Sequence, residues 1–306
     1  MTKKHAPSPF RPEPKVTRVD TPNVDIVGDV HGCVDETQRA LEALGHKIHW
    51  PKDPFEPADV TLSPGRVIVF VGDLTDRGPR SKDSLRLVEG TILKGGNCVM
   101  GNHDNKLLRA LAGHKLQVSN GLETTLEELE DAPEESRNRW RDMLHKMPHQ
   151  LVIPCAHQDL SQDGFLTIAH ASAPEKHQDK ENKNSASRAM YGYPSDQLDK
   201  NGNLVREDWA QVYEGKRGVV HGHTPLPSAR LLNNVGCIDT GAVFGGQLTV
   251  LSAESATLTQ VQSRFCAKER PGVTKDITQG GRVTQNVFTP EYTEKAQVKE
   301  SSEDEL

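Results

Sequence analysis

Apolar runs rich in Val and Ile alternate with amphipathic stretches in the first half of the chain. Residues 24–27 and 66–71 have the β-branched composition of buried strands, and Gly-Asp follows each of them. A helical pattern near residues 34–44 lies between these two strands. Further helices are predicted at 83–93 and 105–111, with a third short strand at 98–100 between them. Residues 121–147 are predicted to form two helices, one on each side of a break at 131–133. The pattern predicts β-α-β units.

The second half of the chain is richer in strands. Short apolar runs with turn-rich links lie at residues 151–153, 165–169, 218–220, 237–239 and 247–251. Residues 174–216 form a long polar excursion with little apolar periodicity, which is typical of a functional loop or lid. Alternating strands and helices followed by a strand-rich half predict an α/β sandwich with two sheets rather than a doubly wound nucleotide-binding fold.

The two ends of the chain lack such patterns. Residues 1–23 hold five prolines among Lys and Arg, and the apolar pattern fades after about Val261. A hydrophobic content of 34% with 26% charged residues also indicates that part of the chain is extended and solvated. We therefore predict a disordered, Pro-rich basic tail at 1–23, one folded domain at 24–262 and a mostly disordered, acidic-ended tail at 263–306.

Composition excludes several classes of protein. Met1 is not followed by the apolar core of a secretion signal, and no stretch reaches the roughly 20 apolar residues of a membrane span, so we expect a cytoplasmic protein without a membrane partner. The five cysteines are scattered without a C-x-x-C pair, which argues against a disulfide framework or a thiolate zinc site. A net charge of -6 argues against a stable nucleic-acid partner. The oligomeric state is left open.

Metal-type ligands follow the predicted strands. Five apolar runs end on a glycine or alanine that is followed directly by Asp, His or Asn: Gly28-Asp29-Val30-His31, Gly72-Asp73, Gly101-Asn102-His103, Ala169-His170 and Gly222-His223. Ligands of open α/β sheets bind outside the carboxyl ends of the strands, so these side chains are expected to converge. Mixed carboxylate and imidazole donors suit divalent cations, and one carboxylate can bridge two of them. The pattern predicts a metal site.

These motifs carry a family resemblance. GDVHG, GDLTDRGP, GNHD, IAHAS and VVHGHTP, in that order, resemble the calcineurin-like metallophosphoesterases, especially their phosphoprotein phosphatase branch. GNHDNKLLRALAG, NGLETTLEEL, Arg188 with Tyr191-Gly192, DWAQVY and IDTGAVFGGQLTVL are similar to bacterial diadenosine tetraphosphatases of the PrpE type. The phosphatase module of bacterial polynucleotide kinase-phosphatases is similar too. The resemblance covers residues 24–251 and implies an α/β sandwich of two mixed β-sheets flanked by helices, with 24–262 as the catalytic domain.

The resemblance also implies two divalent metal ions. The first would be bound by Asp29, His31 and Asp73, with Asp73 bridging, and the second by Asn102, His170 and His223. His223 is preferred to His221 because the histidine of the family follows the glycine and precedes Thr-Pro. Mn²⁺ is the family expectation, while Fe, Zn²⁺, Co²⁺ and Ni²⁺ also suit such ligands.

The chemistry implied by the resemblance is attack on phosphorus by a metal-bridging hydroxide. His103 would act as the general acid, and Asp76 would orient it. The Arg77 guanidinium would bind the substrate phosphate with its two-pronged fork, and Arg188 would be a second phosphate clamp. Asp239 would either support the metal site or make only a structural hydrogen bond. Other nearby arginines leave the second clamp open.

We therefore expect a dinuclear metal-dependent phosphoesterase that hydrolyses phosphate monoesters or dinucleoside polyphosphates. The alternatives are a Ser/Thr protein phosphatase acting on phosphoproteins, a nucleic-acid end phosphatase and a metal-binding regulatory scaffold without turnover. Asp76 is typical of protein phosphatases, and symmetrical diadenosine tetraphosphatases usually lack it, whereas Asp104 stands where protein phosphatases usually have Glu. Substrate specificity is expected to reside in residues 113–150 and 174–216.

Overall fold

The structure, a computed structural model, describes residues 13–198, 204–270 and 272–291. The helices in these ranges are α1 (Val34–Ala43), α2 (Ser81–Leu93), α3 (Asn102–Leu111), α4 (Leu122–Glu128), α5 (Glu134–Lys146) and α6 (Lys183–Tyr191). The strands are β1 (Val16–Arg18), β2 (Val24–Val27), β3 (Lys47–His49), β4 (Asp59–Thr61), β5 (Val67–Phe70), β6 (Asn97–Cys98), β7 (Gln150–Pro154), β8 (Phe165–Ala169), β9 (Pro194–Leu198), β10 (Leu204–Arg206), β11 (Gly218–His221), β12 (Arg230–Leu232), β13 (Val235–Cys237), β14 (Gln247–Ser252), β15 (Thr257–Gln262), β16 (Val283–Val287) and β17 (Pro290–Glu291).

Two mixed sheets form the body of the protein. The first sheet has the order β16-β15-β14-β2-β5-β6, and the second has the order β1-β7-β8-β11-β13-β12-β17. β2, β5 and β6 run parallel in the first sheet, and β8, β11 and β13 run parallel in the second. The predicted sandwich of two mixed sheets is confirmed. Parallel strands place their carboxyl ends at one edge of a sheet, so the loops that carry the predicted ligands leave each sheet on the same side.

The core lies in layers. Ile26 and Val69 of the first sheet pack against Ile168 of the second, and all three side chains are fully buried. Each such side chain contributes roughly 1.5–3 kcal/mol to folding. The opposite face of the first sheet is covered by α1, α2, α3 and α5, whose buried cluster includes Trp140. The first sheet is thus packed on both faces, which fixes the strand ends that carry Asp29 and Asp73.

The polar excursion predicted at 174–216 contains regular structure in its described parts, 174–198 and 204–216. It contains 3₁₀ turns at Glu175–His177 and Trp209–Val212, helix α6 and the antiparallel pair β9–β10. Ala189 and Trp209 bury themselves against Val219 on the outer face of the second sheet. The apolar positions here are too few and too irregular in spacing to show a period, which is why the sequence predicted only a loop.

Strands also occur in the segments predicted as tails. β1 pairs in parallel with β7, and β16 pairs with β15 over five residues on each side, from Thr257↔Val287 to Val261↔Val283. Both are edge strands, which need backbone hydrogen bonds but few buried side chains, so composition does not reveal them. The structure thus differs from the tail prediction within 13–23, 263–270 and 272–291, whereas residues 1–12, 271 and 292–306 of those tails lie outside the described residues.

No helix among the residues described is both long enough and apolar enough to cross a bilayer.

Candidate metal centre

The loop after β2 carries Asp29 and His31. The carboxylate of Asp29 accepts the backbone N–H of His223, at 3.2 Å to Oδ1 and 3.0 Å to Oδ2. His31 has a φ of 42°, and its Nδ1 atom donates to the Thr75 carbonyl oxygen at 2.7 Å. A carbonyl oxygen only accepts, so this bond assigns the proton of the neutral ring to Nδ1 and leaves a lone pair on Nε2. His31 therefore presents a ligand atom to the centre of the site.

Asp73 follows β5 and lies at the middle of the cluster. Its side chain is buried, with Oδ2 3.5 Å from His31 Nε2 and Oδ1 3.3 Å from His170 Nε2. Oδ1 also accepts the backbone N–H of His103 at 2.9 Å, which ties the carboxylate to the start of α3. Asp73 thus has one oxygen directed to each side of the cluster.

His170, His223 and Asn102 make the second side. His170 Nε2 lies 2.9 Å from His223 Nδ1 and 3.1 Å from Asn102 Oδ1. The Nδ1 atom of His170 donates to the Val71 carbonyl oxygen at 3.0 Å, so its Nε2 is the ligand atom by the same reasoning as for His31. Asn102 is the first residue of α3, and His170 directly follows β8.

Two groups of buried donors share Asp73: His31, Asp73 and His103 form one, and Asp73, His170 and His223 form the other. Within each group the candidate ligand atoms lie within 4.8 Å of one another. The lone pair of His170 Nε2 faces the acceptor oxygens Asn102 Oδ1 and Asp73 Oδ1, an arrangement that a cation stabilises. In the first group, the positively charged Arg77 guanidinium lies next to His31, with its Nη1 atom 2.8 Å from His31 Nε2. The residues present therefore fit a pair of divalent cations.

The charges around Asp73 favour cations as well. Burial raises the pKa of Asp29 well above its usual value, and the neighbouring carboxylates of Asp239 and Asp73 raise it further. Burial also acts to raise the pKa of Asp73, but the imidazoles of His170 and His103 outweigh it and lower that pKa well below its usual range. Three carboxylates buried close together repel one another unless positive charge is placed among them.

The Asp76 carboxylate contacts the His103 ring at Nδ1, the nitrogen that faces away from Asp73. The His103 Nδ1 atom lies 2.6 Å from Asp76 Oδ2, and the His103 ring meets that of His31 edge to face with a centroid distance of 4.8 Å. The His103 Nε2 atom points toward Asp73, 4.0 Å from Oδ2. From the sequence we predict that His103 is the general acid and that Asp29 binds the first metal. The first group of neighbouring ligand atoms in the structure contains His103 and does not contain Asp29. Both assignments stay predictions.

The two predicted phosphate-binding arginines lie in different surroundings. Arg77 lies beside His31 with its Cζ atom 5.6 Å from the centre of the Phe244 ring, at the rim of the cluster. Arg188 in α6 instead stacks on Tyr193 at 4.4 Å from the ring centre and donates from Nη1 to the Gly192 carbonyl oxygen at 3.1 Å. No contact of Arg188 with the ligand cluster is found among the described residues, so its role as a clamp stays a prediction.

Asp239 and His221 lie beside the cluster rather than in it. Asp239 is buried, accepts the backbone N–H of Gly241 at 3.0 Å, and has its pKa raised to about 6, chiefly by burial. His221 packs against Trp209 with a centroid distance of 5.5 Å, and burial lowers its pKa to about 4. The structure therefore groups His223, not His221, with His170 and Asp73.

Asp104 has a larger structural role than the helix cap that its position suggests. Its Oδ2 atom accepts the backbone N–H groups of Gly101 at 2.9 Å and Asp73 at 2.8 Å, and Oδ1 accepts that of Leu74 at 3.0 Å. The carboxylate thereby fixes the Asp73 loop to the start of α3. Its place at the third position of a helix was the available signal in the sequence.

A cleft of about 120 Å³ opens next to the second side of the cluster. Its lining includes Tyr193, Asp208, Trp209, His221, His223 and Arg230. The Arg230 guanidinium forms a two-pronged ion pair with Asp208, at 2.7 and 2.8 Å, on one wall. The cleft therefore gives a ligand at the metal centre both aromatic and charged surface.

Comparison with known proteins shows the family of the chain. The family model of the calcineurin-like phosphoesterases matches residues 22–246. The asymmetrical bis(5′-nucleosyl)-tetraphosphatase PrpE of Bacillus subtilis strain 168 is 38% identical over 226 residues, which are 74% of this chain and 88% of the relative. The protein of that name from Anoxybacillus flavithermus strain WK1 is 37% identical over 252 residues, covering 81% of this chain and 98% of the relative.

A solved structure has the same fold. A crystal structure of a candidate diadenosine tetraphosphatase superposes with a TM-score of 0.57 at 21% identity, and it covers 82% of this chain and 98% of the other. At that identity the likeness bears on the fold alone.

Proposed function

This chain belongs to the calcineurin-like phosphoesterase family, and from that premise we propose that it hydrolyses dinucleoside polyphosphates at a pair of divalent cations. The observation that carries the proposal is the sharing of Asp73 between two groups of buried ligands. A shared carboxylate is the arrangement by which two-metal phosphoesterases hold their ions a few ångströms apart. The chain is a metal-dependent phosphoester hydrolase by family, and the substrate and the roles of individual residues are what we propose.

The ions would be held by the residues that the sequence indicated. Asp29, His31 and Asp73 would bind the first, and Asp73, Asn102, His170 and His223 would bind the second. Mixed oxygen and imidazole donors without thiolates suit Mn²⁺, which we propose as the metal. When bound, the two cations lower the pKa of water and offset the charge that builds up on the phosphoryl oxygens.

The residues of the chain supply proton transfer and phosphate binding. His103 Nε2 would give a proton to the leaving oxygen, while Asp76 holds the ring through Nδ1 at 2.6 Å. The Arg77 guanidinium would donate two parallel hydrogen bonds to two phosphoryl oxygens. A lysine ammonium cannot make this paired contact. Its present place beside His31 puts it within reach of the same centre.

The choice of substrate rests on the relatives and on the cleft. The relatives named above are called bis(5′-nucleosyl)-tetraphosphatases. The cleft next to His223 contains the Trp209 and Tyr193 side chains, which can contact the nucleoside part of a substrate whose phosphate lies at the metals.

The test is a direct assay with matched variants. The Mn²⁺-loaded protein is expected to convert diadenosine tetraphosphate to mononucleotides faster than it dephosphorylates a phosphoserine peptide, and to lose both activities with a chelator. Asp73→Asn should reduce the rate by on the order of 10²-fold or more and lower the bound metal measured by mass spectrometry. Asp142→Asn, which alters an exposed carboxylate far along α5, is the control. Equal activity in the wild type and Asp73→Asn rejects the proposal, and a preference for the peptide favours a protein phosphatase.

A further inference from the structure

The chain beyond β15 folds back along the loop that follows Asp239. Residues 264–270 and 272–275, called here the return segment, run along the loop 241–246 that follows Asp239. The Ala267 N–H donates to the Val243 carbonyl oxygen at 2.8 Å, and the Lys275 N–H donates to that of Gly245 at 2.9 Å. Between these two bonds, Thr274 Oγ1 donates to the Phe244 carbonyl oxygen at 2.7 Å. The return segment is thus tied to this loop at three points.

A buried side chain anchors the return segment close to Asp239. Val273 is 3% exposed and packs directly on Gly241, where a Cβ atom would overlap its Cγ1. Gly241 in turn donates its N–H to the Asp239 carboxylate at 3.0 Å. The same glycine therefore joins the return segment to a carboxylate beside the ligand cluster.

Arg270 is the residue that this anchoring positions. Its N–H donates to Thr274 Oγ1 at 2.7 Å, and its carbonyl oxygen accepts the N–H groups of Val273 and Thr274, each at 3.0 Å. Its backbone is therefore fixed although its side chain is exposed. No ion pair of the Arg270 guanidinium is present in the part of the chain that the structure describes.

The Arg270 and Arg77 guanidinium groups both contact the Phe244 ring. The Cζ atom of Arg270 is 5.3 Å from the centre of the Phe244 ring, and the Cζ atom of Arg77 is 5.6 Å from the same centre. The charge of Arg270 also acts on the Asp239 carboxyl, where it opposes the burial that raises the pKa to about 6. Because both positive charges lie at one ring, an anion bound beside that ring is attracted by both of them.

We propose that Arg270 binds a phosphate group of the substrate beyond the one that is attacked, so that it favours polyphosphates over phosphate monoesters. This inference rests on the proposed function. A polyphosphate chain that starts at the metals carries further charged phosphates outward past Arg77, whereas a monoester has none. The family model ends at residue 246, so Arg270 belongs to a part of the chain that the family match does not reach.

The experiment compares two substrates in three variants. Arg270→Gln is expected to raise the KM for diadenosine tetraphosphate about tenfold and to leave kcat/KM for p-nitrophenyl phosphate within twofold of the wild type. Arg270→Lys should recover part of the KM, since it keeps the charge but not the fork. Lys268→Gln removes the same charge from the same segment, and no hydrogen bond or ion pair of Lys268 occurs among the described residues, so both substrates should change less than twofold.

A second readout separates this inference from the proposed function. Inorganic tripolyphosphate should inhibit p-nitrophenyl phosphate hydrolysis, and its inhibition constant should rise about tenfold in Arg270→Gln but not in Lys268→Gln. This assay holds even if diadenosine tetraphosphate is not a substrate, in which case only the proposed function fails. Equal effects of Arg270→Gln on the monoester and the polyphosphate, or equal effects of Lys268→Gln and Arg270→Gln, overturn the inference. Melting curves verify that the exposed substitutions leave the fold intact.

Discussion

The Nδ1 atom of His103 lies 2.6 Å from the Oδ2 atom of Asp76, and both side chains are buried. The other carboxylate oxygen of Asp76 accepts the Thr125 hydroxyl at 2.6 Å, and the Asp76 N–H donates to the same hydroxyl oxygen at 3.0 Å. Helix α4, which contains Thr125, thus locks the carboxylate that orients the imidazole. Only the Nε2 atom of His103 is left to face the metal centre.

Asp76→Asn should therefore damage proton donation more than metal binding. An amide can still accept at its oxygen, but it holds the imidazolium less strongly, and we expect kcat for phenyl phosphate to fall on the order of 10²-fold. For p-nitrophenyl phosphate, whose leaving group needs little protonation, the loss should be several-fold at most. Steady-state kinetics with both esters and metal analysis check this. Equal losses for the two esters, or a loss of bound metal, would contradict the role of Asp76.

The glycine before His223 is required by its close approach to a carboxylate. A Cβ atom on Gly222 would overlap Asp29 Oδ1 and lie 2.9 Å from Val71 Cγ2. Gly222→Ala should push the Asp29 carboxylate out of place and weaken Mn²⁺ binding by about 10- to 100-fold, as for other changes that disturb the support of metal ligands. Titration of metal-free protein with Mn²⁺ measures the affinity.

Gly65→Ala is the control for a methyl group added to a glycine. No atom lies within 4 Å of the Cβ position at Gly65, although its φ of +73° strains an alanine there. This variant should lose roughly 1 kcal/mol of stability and keep wild-type Mn²⁺ affinity. Wild-type affinity in Gly222→Ala would disprove the link between this glycine and Asp29.

His149 should make the stability of the fold depend on pH. It is 4% exposed, and burial lowers its pKa from 6.5 to about 4. Between these values the unfolded chain binds a proton that the folded chain does not, so stability is complete above pH 6.5 and falls as the pH drops toward 4. The loss attributable to His149 is about 3 kcal/mol over this range.

Urea unfolding of His149→Gln tests this relation. Glutamine does not titrate, so the decline in unfolding free energy between pH 6.5 and 4 should be shallower than in the wild type. His49→Gln, which alters an exposed histidine of β3, should keep the wild-type slope. Identical slopes in His149→Gln and the wild type would show that His149 does not titrate as a buried group.

The sequence predicted the elements that bury continuous apolar runs. β2 and β5 are buried along their whole length or nearly so, and the sequence placed both within one residue of their bounds. β3 and β4 each bury a single residue, Ile48 and Val60, between exposed neighbours. A single buried position has no period, so no pattern could indicate this hairpin.

The candidate site was predictable where the ligands follow strand ends. The sequence did not predict those contacts of the site that depend on how other segments of the chain fold. Arg188 stacks on Tyr193 in a turn whose path the sequence does not define, and Arg270 reaches Phe244 through backbone hydrogen bonds of a polar segment. Such contacts come from tertiary structure, which a local pattern of residue types does not encode.

The Asp104 carboxylate accepts hydrogen bonds from three backbone N–H groups that are buried away from solvent water. The N–H groups of Gly101, Asp73 and Leu74 all bond to it, and its side chain is fully buried. In Asp104→Asn the NH₂ group must face at least one of these donors, which leaves buried N–H groups unsatisfied at a cost of about 1–3 kcal/mol. Because one of the donors belongs to Asp73, the shared carboxylate should also shift, and kcat should fall together with metal affinity. Chemical denaturation and Mn²⁺ titration measure the two effects, with Asp142→Asn as an exposed control. A variant that loses stability but binds both metals as the wild type does would limit Asp104 to capping α3.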